Sequence, residues 1–256
     1  MAWSERQIAI LGEMGIRLWS PPPPPPSAEQ AAEEETVAVV EAPIPVAPPR
    51  ARPGGVAAMD WPALREAVAA CRACKLCEGR TNTVFGVGHE RAQWMVVGEA
   101  PGEQEDLKGE PFVGKAGQLL DNMLRALGLT RGEADAQHQV FIANTLKCRP
   151  PRNRNPEPEE LAQCEPFLIR QIELVQPKII LAMGRFAVQS LLKSGEPIGR
   201  LRGRVHQYQG VPLVVTYHPA YLLRNPQDKA RAWEDLCLAA EVVLKASSSS
   251  QAASSR

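Results

Sequence analysis

Four short apolar runs alternate with segments of helical periodicity over residues 60–245, and this alternation restricts the fold more than any other feature. Strands that alternate with helices are typical of an α/β layered fold with a largely parallel sheet. The predicted strands are residues 94–97, 140–143, 178–183 and 212–216. The predicted helices are residues 119–127, 159–175, 185–192 and 229–244.

Each predicted strand is followed by a polar or glycine-containing turn. These turns contain Gly98, Asn144, Gly184 and His218. In open parallel sheets, ligands bind at the carboxyl ends of the strands. We therefore expect a functional site at that edge of the sheet.

The two ends of the chain differ in composition from this middle part. Eleven of the 24 prolines precede residue 60, and residues 21–26 are six consecutive prolines, which is typical of an extended linker. We predict a disordered linker over 20–59, a folded domain over 60–245 and a disordered serine-rich tail over 246–256. Apolar residues within 1–19 fit a short amphipathic helix, interpreted as a docking peptide for a protein partner or, alternatively, as an unstructured tail.

Composition narrows the class of protein. The chain is 44% apolar and 23% charged, as soluble proteins are, and it lacks the ~20-residue apolar run that would span a membrane. Its start lacks the features of a secretory signal, which predicts a cytoplasmic location. Because the formal net charge is zero, a nucleic-acid surface would need local clusters. The candidates, unless they are merely solvated loops, are residues 147–154 and Arg200, Arg202 and Arg204.

The cysteines point to a metal site, because cytosolic thiols are normally kept reduced rather than paired. Two overlapping Cys-x-x-C units and two distant cysteines form the candidate set, namely Cys71, Cys74, Cys77, Cys148 and Cys164. Spacing alone leaves zinc, an iron–sulfur cluster and simple burial open, and it offers five candidates for four ligand positions. Cys237 falls on the apolar face of a predicted helix and is assigned to the core.

Five motifs occur in order between Cys71 and residue 224. They are Cys-Arg-Ala-Cys at 71–74, Gly-Glu-Ala-Pro-Gly-Glu-Gln-Glu-Asp at 98–106, Pro-Phe-Val-Gly at 111–114, Asn144 with Lys-Cys-Arg-Pro-Pro at 147–151, and His-Pro-Ala-Tyr-Leu-Leu-Arg at 218–224. With these motifs the chain resembles the family 4 uracil-DNA glycosylases. The resemblance implies a three-layer α/β/α sandwich around a mainly parallel four-stranded sheet. It also implies a monomer that removes uracil from DNA in base excision repair.

The resemblance further implies a [4Fe-4S] cluster held by Cys71, Cys74, Cys148 and Cys164, whereas Cys77 falls at a position that need not be cysteine in the family. The cluster would serve structure rather than hydrolysis and would hold the basic loop beside Cys148 against DNA. One alternative is a non-catalytic DNA-binding or redox-signalling iron–sulfur protein on the same scaffold. Another is a zinc-stabilised interaction module.

Several motif residues suit the recognition of a uracil that has been flipped out of DNA. The amide of Asn144 can accept from the uracil imide N–H and donate to the adjacent carbonyl, an arrangement that cytosine does not match. Phe112 would stack on the ring, and the resemblance places Glu105 where it would exclude the methyl group of thymine. Backbone N–H groups around Gly98 and Ala100 would assist. Structural alternatives are a strand cap for Asn144 and a core position for Phe112.

Two residues are candidates for catalysis. His218, as a neutral imidazole, would donate a hydrogen bond to the uracil oxygen that gains negative charge. Many relatives carry a water-orienting aspartate where this chain has Ala100, an absence that family 4 shares. Glu99 is the nearest acidic candidate for activating water, with a structural carboxylate as an equal alternative. No histidine occurs between residues 144 and 164, which predicts turnover rather than covalent trapping of DNA.

The residues expected to contact DNA are Arg149, Arg152, Arg154, Leu222, Leu223 and Arg224. The arginines would bind phosphates, and the two leucines would fill the space left by the flipped nucleotide. Without the resemblance, the leucines would instead be interpreted as the start of a buried helix.

Overall fold

The computed structural model describes residues 55–254, with side chains as far as Ala246. The predicted docking peptide over 1–19 lies outside the described residues, as do residues 20–54 of the predicted linker and the last two residues of the chain. The predicted start of the folded domain at residue 60 is too late. Val56–Ala58 form a turn of 3₁₀ helix, and the buried side chain of Val56 packs in the core.

The helices and strands follow one another in an order that agrees with the predicted alternation. In chain order they are α1 (Trp61–Ala69), α2 (Leu76–Gly79), β1 (Val87–Gly88), β2 (Trp94–Gly98), α3 (Glu103–Lys108), α4 (Gly114–Ala126), β3 (Phe141–Asn144), α5 (Pro158–Val175), β4 (Ile179–Met183), α6 (Arg185–Leu192), α7 (Ile198–Leu201), β5 (Val205–Tyr208), β6 (Val211–Thr216), α8 (Pro219–Arg224) and α9 (Lys229–Ser254). Further single turns of 3₁₀ helix are Pro151–Asn153 and Pro226–Asp228.

Local sequence signals explain where the longer helices begin. The Asp60 side chain accepts a hydrogen bond from the Ala63 N–H at 3.0 Å and caps α1, and proline occupies the first turn, where its missing N–H costs nothing. Helix α5 begins with Pro158 and a capping box, in which the Glu160 side chain accepts from the Glu157 N–H at 2.9 Å.

The sheet has the order β1-β3-β2-β4-β6-β5. The four inner strands are parallel and coincide with the four predicted strands, while β1 and β5 pair antiparallel at the edges. The predicted α/β class is confirmed, but the sheet has two more strands than predicted. Strand β1 has only two residues, and β5 exposes Val205 and buries only Tyr208, so neither edge carries a clear apolar run.

The inner strands are buried on both faces, which makes the fold a three-layer sandwich. Along β2, Met95 and Val97 pack into one core with α1, α5 and α6. Trp94 and Val96 point to the opposite face and pack with α4 and α9. Because successive side chains of a strand alternate between faces, one short apolar run supplies both cores and holds the strand ends rigidly in place.

The last helix is longer than predicted. Its buried residues Leu236, Ala239 and Val243 pack on the sheet, and α9 continues to Ser254, where we had predicted a disordered tail from residue 246. Once a helix is anchored, each further residue adds a hydrogen bond without a new nucleation cost, which accounts for the extension. No helix within residues 55–254 combines the length and apolar character required to cross a membrane.

Candidate active site

A cavity of about 800 Å³ opens at the carboxyl ends of the parallel strands. The loops that follow all four inner strands contribute to it. The lining residues that come directly from these loops are Glu99, Ala100, Pro101, Gly102, Asn144, Gly184, Arg185, Tyr217 and His218. The structure therefore brings together the strand-end residues that the sequence places far apart.

Phe112 and Asn144 line this cavity and pack closely against Gly98. A Cβ atom at Gly98 would collide with Oδ1 of Asn144 and with the Phe112 ring, so only glycine permits this approach. Phe112 adopts a left-handed backbone conformation, with φ of 53°, and its ring stacks on His218 with centroids 5.2 Å apart. Asn144 is buried, and within residues 55–254 its side-chain amide has no hydrogen-bond partner. The amide lines the cavity.

Glu105 fixes the shape of the pocket wall. One carboxylate oxygen accepts from the Gly102 N–H and the other from the Val113 N–H, each at 3.1 Å. The side chain thus ties the glycine-rich turn after β2 to the segment that carries Phe112. Because both oxygens are occupied by backbone donors, Glu105 is held rigidly where it lines the cavity.

Glu99 lies in the wall beside Arg185. Burial raises the pKa of the Glu99 carboxyl to about 7, against the opposing effect of the Arg185 charge. The turn that carries Glu99 is anchored through its backbone, since the Glu99 carbonyl accepts from the Thr145 hydroxyl at 2.5 Å and the Leu146 N–H at 3.0 Å. Near neutral pH the carboxyl therefore exists in both protonation states.

His218 is neutral, and its tautomer follows from its contacts. Burial, assisted by the nearby Arg224 charge, lowers the pKa of His218 to about 4. Nδ1 accepts a hydrogen bond from the Ala220 N–H at 3.1 Å, so the single ring proton is carried by Nε2. The pocket therefore contains an uncharged N–H donor at ordinary pH.

The five clustered cysteines surround a separate, small cavity. Cys71 and Cys74 come from the loop between α1 and α2, Cys77 from α2, Cys148 from the loop after β3, and Cys164 from α5. Burial, together with the charge of the nearby Cys148 thiolate, raises the pKa of the Cys74 thiol to about 11 and that of Cys164 to about 12. A positively charged metal core would remove this mutual penalty.

The donor set around this cavity consists of thiols, which are the ligands that an iron–sulfur cluster requires. Two N–H groups also point at the sulfurs, as Arg80 donates to Cys148 Sγ at 3.1 Å and the Lys147 N–H to Cys164 Sγ at 3.3 Å, a common arrangement around iron–sulfur ligands.

Comparison with known proteins identifies the family. Residues 85–237 match the model of the uracil DNA glycosylase superfamily. The chain is 45% identical to a type-4 uracil-DNA glycosylase of Archaeoglobus fulgidus over 62% of its own length and 81% of the relative's. It is 42% identical to a type-4 uracil-DNA glycosylase of Pyrobaculum aerophilum over 70% of its own length and 93% of the relative's.

The chain belongs to the type-4 uracil-DNA glycosylases. A type-5 uracil-DNA glycosylase of Pyrobaculum aerophilum is more distant, with 33% identity over 54% of the chain and 66% of the relative. The resemblance predicted from the five motifs is thereby confirmed.

In this type-4 chain, most arginines of the loop predicted to bind DNA are paired with other side chains of the protein. Arg154 makes a two-pronged ion pair with Glu160 at 2.6 and 2.9 Å and a further pair with Glu157. Arg149 donates to Asn153 at 2.8 Å and lies 3.7 Å from Glu103. The capping carboxylate of α5 therefore holds the Arg154 guanidinium, and contact of Arg154 with DNA stays a prediction.

Arg152 differs from these neighbours. It is exposed at the tip of the loop with φ of 54°, and the ion pairs that the loop makes among the described side chains involve Arg149 and Arg154 instead. The second predicted basic cluster is also neutralised in part, since Arg202 pairs with Asp235 and Glu234 at 3.1 and 3.0 Å. Arg152 is accordingly the best placed of the predicted loop arginines to meet a phosphate.

The two leucines of the last motif have opposite environments. Leu222 is 1% exposed and Leu223 is 44% exposed, because adjacent residues on the short helix α8 point about 100° apart. The prediction that both enter DNA is wrong for Leu222, which is a core residue. Leu223 is free of the core, and Arg224 lines the cavity.

Sequence reasoning missed the role of two residues. Lys147 had been assigned to the basic loop, but it is 1% exposed and its side chain points into the protein. Asp106, quoted only as part of a motif, is buried and accepts from the Thr81 N–H at 3.0 Å, so it ties the cysteine segment to α3. A lysine and an aspartate inside polar motifs carry no signal of burial, which depends on the tertiary structure.

Proposed function

We propose that this protein hydrolyses the N-glycosidic bond of uracil in DNA and leaves an abasic site as the first step of base excision repair. One observation carries the proposal. An unpartnered Asn144 amide, a neutral His218 with its proton on Nε2, and the Phe112 ring all meet in one cavity. The relatives from Archaeoglobus fulgidus and Pyrobaculum aerophilum support the same reaction, since both are named type-4 uracil-DNA glycosylases.

Recognition of the base follows from the Asn144 amide. Its oxygen accepts from the uracil imide N–H and its nitrogen donates to the neighbouring carbonyl. Cytosine offers the opposite arrangement, which would leave buried groups unpaired at a cost of about 1–3 kcal/mol each. Phe112 stacks on the ring, and the fixed Glu105 fills the space that a 5-methyl group would need.

Bond cleavage places negative charge on the departing uracil and positive charge on the sugar. The Nε2–H of His218 donates to the uracil oxygen that becomes negative, and a preorganised donor of this kind stabilises the transition state. Backbone N–H groups around Gly98 and Ala100 assist in holding the base. Glu99 in its ionised form accepts a proton from the attacking water, a role that the absence of an aspartate at Ala100 leaves to it.

Contact with DNA is assigned to the exposed side chains beside the pocket. Leu223 enters the base stack and takes the space of the flipped nucleotide. Arg152 and Arg224 bind phosphates, with Arg149 in support, while Arg154 holds the loop in shape through Glu160.

The cysteine cavity holds a [4Fe-4S] cluster through Cys71, Cys74, Cys148 and Cys164. The cluster supplies structure and takes no part in hydrolysis, since its cavity and the base pocket have different linings. Monomeric action, a cytoplasmic location, turnover without trapping and docking of residues 1–19 on a partner stay predictions of the sequence.

The test is excision from an oligonucleotide with one uracil, followed by alkaline cleavage of abasic sites. Wild-type protein should release uracil, and Asn144→Ala should be slower by at least ~1,000-fold, as expected when the group that reads the base is lost. The visible absorbance of the cluster should be equal in both proteins. An intact oligonucleotide at high excess of wild-type enzyme would contradict the proposed activity, and joint loss of excision and absorbance in Asn144→Ala would contradict the assigned site.

A further inference from the structure

The side chain of Lys147 lies inside the protein, directly beneath the residue that reads the base. Its Nζ donates to the Asn144 carbonyl at 2.8 Å and to Gln171 Oε1 at 2.6 Å. Gln171, which is 0% exposed, donates in turn through Nε2 to the Phe85 carbonyl at 2.9 Å. A continuous chain of hydrogen bonds therefore connects the end of β3 to α5 and to the segment before β1.

Burying the Lys147 ammonium group costs free energy. An ammonium group out of water is unfavourable unless it is paired. Both hydrogen-bond partners of Nζ are neutral oxygens, and the opposite charges that favour its ionised form are those of the Cys164 and Cys148 thiolates. A linear apolar side chain such as methionine would fill the same space without a charge. What methionine would not supply is the donor to the Asn144 carbonyl.

We propose that Lys147 is a positioning residue, which fixes the Asn144 peptide so that the side-chain amide points at the uracil edge. This inference rests on the proposed function, because it assigns a task relative to the base that Asn144 reads. The Asn144 amide has no side-chain partner of its own among the described residues, so its direction depends on its backbone and on packing against Gly98. The Lys147 bond restrains that backbone at the last residue of β3.

The same residue links the cysteine cavity to the base pocket. Lys147 precedes Cys148, and its own N–H donates to Cys164 Sγ, while its side chain holds Asn144. Its backbone therefore faces the sulfurs, and its side chain faces the residue that reads the base.

Three variants separate positioning from simple stability. Lys147→Met removes the donor to Asn144 and leaves the buried Oε1 of Gln171 without a partner. Gln171→Leu is the matched control, since it removes the outer partner but keeps the Lys147 bond to Asn144. The double variant Lys147→Met/Gln171→Leu replaces both polar groups by apolar ones, a change that is often nearly neutral for stability.

The measurements are the single-turnover excision rate, inhibition by free uracil, affinity for DNA with an abasic site, visible absorbance and urea unfolding. Lys147→Met should lower the excision rate by about tenfold to 100-fold and raise the uracil inhibition constant about tenfold, as for groups that orient a functional side chain. Affinity for abasic DNA and the absorbance should be unchanged. Gln171→Leu should give a smaller decrease in rate, and the double variant should recover stability but stay slow.

Several results would overturn the inference. A double variant with wild-type stability, rate and uracil inhibition would mean that Lys147 serves stability alone. A decrease in rate that occurs only together with loss of absorbance would place its effect on the cluster. Failure of the proposed function has a different signature, namely a wild-type enzyme without excision or an Asn144→Ala variant with full activity.

Discussion

The base pocket and the cysteine cavity are built from neighbouring residues but are suited to opposite tasks. Asn144 ends β3 and faces the pocket, whereas Cys148, four residues later, faces the cysteine cavity. The pocket is large and combines polar groups from four strand ends with apolar side chains, as sites for small ligands do. The cysteine cavity is small and lined mainly by thiols and apolar side chains, as suits a group that stays bound.

Burial favours the uncharged form of the titratable groups in both regions, but the chemical result differs. In the pocket it keeps His218 neutral, with a pKa of about 4, and raises the pKa of Glu99 to about 7. Around the cysteines it raises thiol pKa values to about 11 or 12. The first result is useful by itself, because neutral donors and a poised carboxyl can act on a substrate. The second becomes useful only when a metal displaces the thiol protons.

The largest expected effect is on stability and tests the cysteine cavity. Cys164→Ser should abolish the visible absorbance and lower the free energy of unfolding by about 4 kcal/mol, as losses of structural metal sites can do. Urea unfolding and absorbance spectra would measure this. Cys237→Ser, on α9 away from the cavity, is the matched control and should retain the absorbance; equal spectra for the two variants would mean that Cys164 is not a ligand.

The next largest effect is on the excision rate and tests the base pocket. His218→Ala removes the Nε2–H donor and should lower the single-turnover excision rate by ~100- to 1,000-fold. The absorbance and the unfolding curve should stay close to those of the wild type. A variant that keeps its rate would remove His218 from the catalytic group.

The pH dependence of excision distinguishes the two roles of Glu99. If its carboxylate activates water, the rate should fall about tenfold for each pH unit below about 7, because the protonated form cannot accept a proton. His218 should not contribute in that range, since it is neutral above a pKa of about 4. Glu99→Gln should be slow and independent of pH, whereas a flat wild-type profile would make Glu99 a structural carboxylate.

The smallest effect on the excision rate concerns the paired leucines. Leu223→Ala should lower excision from duplex DNA about tenfold while leaving stability intact, since only the wedge is lost. Leu222→Ala should instead cost about 2–5 kcal/mol of stability, as buried leucines do. Thermal unfolding and excision from single-stranded DNA complete the test, and an equal effect of Leu223→Ala on both DNA forms would contradict a wedge.

Much of the fold could be predicted because the inner strands are buried on both faces. Such strands are continuous apolar runs. The residues at their carboxyl ends, including Asn144 and His218, could therefore be predicted to line the pocket. The edge strands could not be predicted because β1 is short and β5 is half exposed. The burial of Leu222 and Lys147 could not be predicted for a different reason. Residue type determines neither the orientation of a short helix nor the direction of one side chain.

The five cavity cysteines are distributed over α2, the adjoining loops and α5, and this distribution has a consequence for stability. Strands β2 and β3 lie between the first three cysteines and the last two along the chain. A cluster held by both groups would therefore cross-link segments that are far apart in the sequence. Such a cross-link would close long loops of the chain and stabilise the protein by restricting the unfolded ensemble.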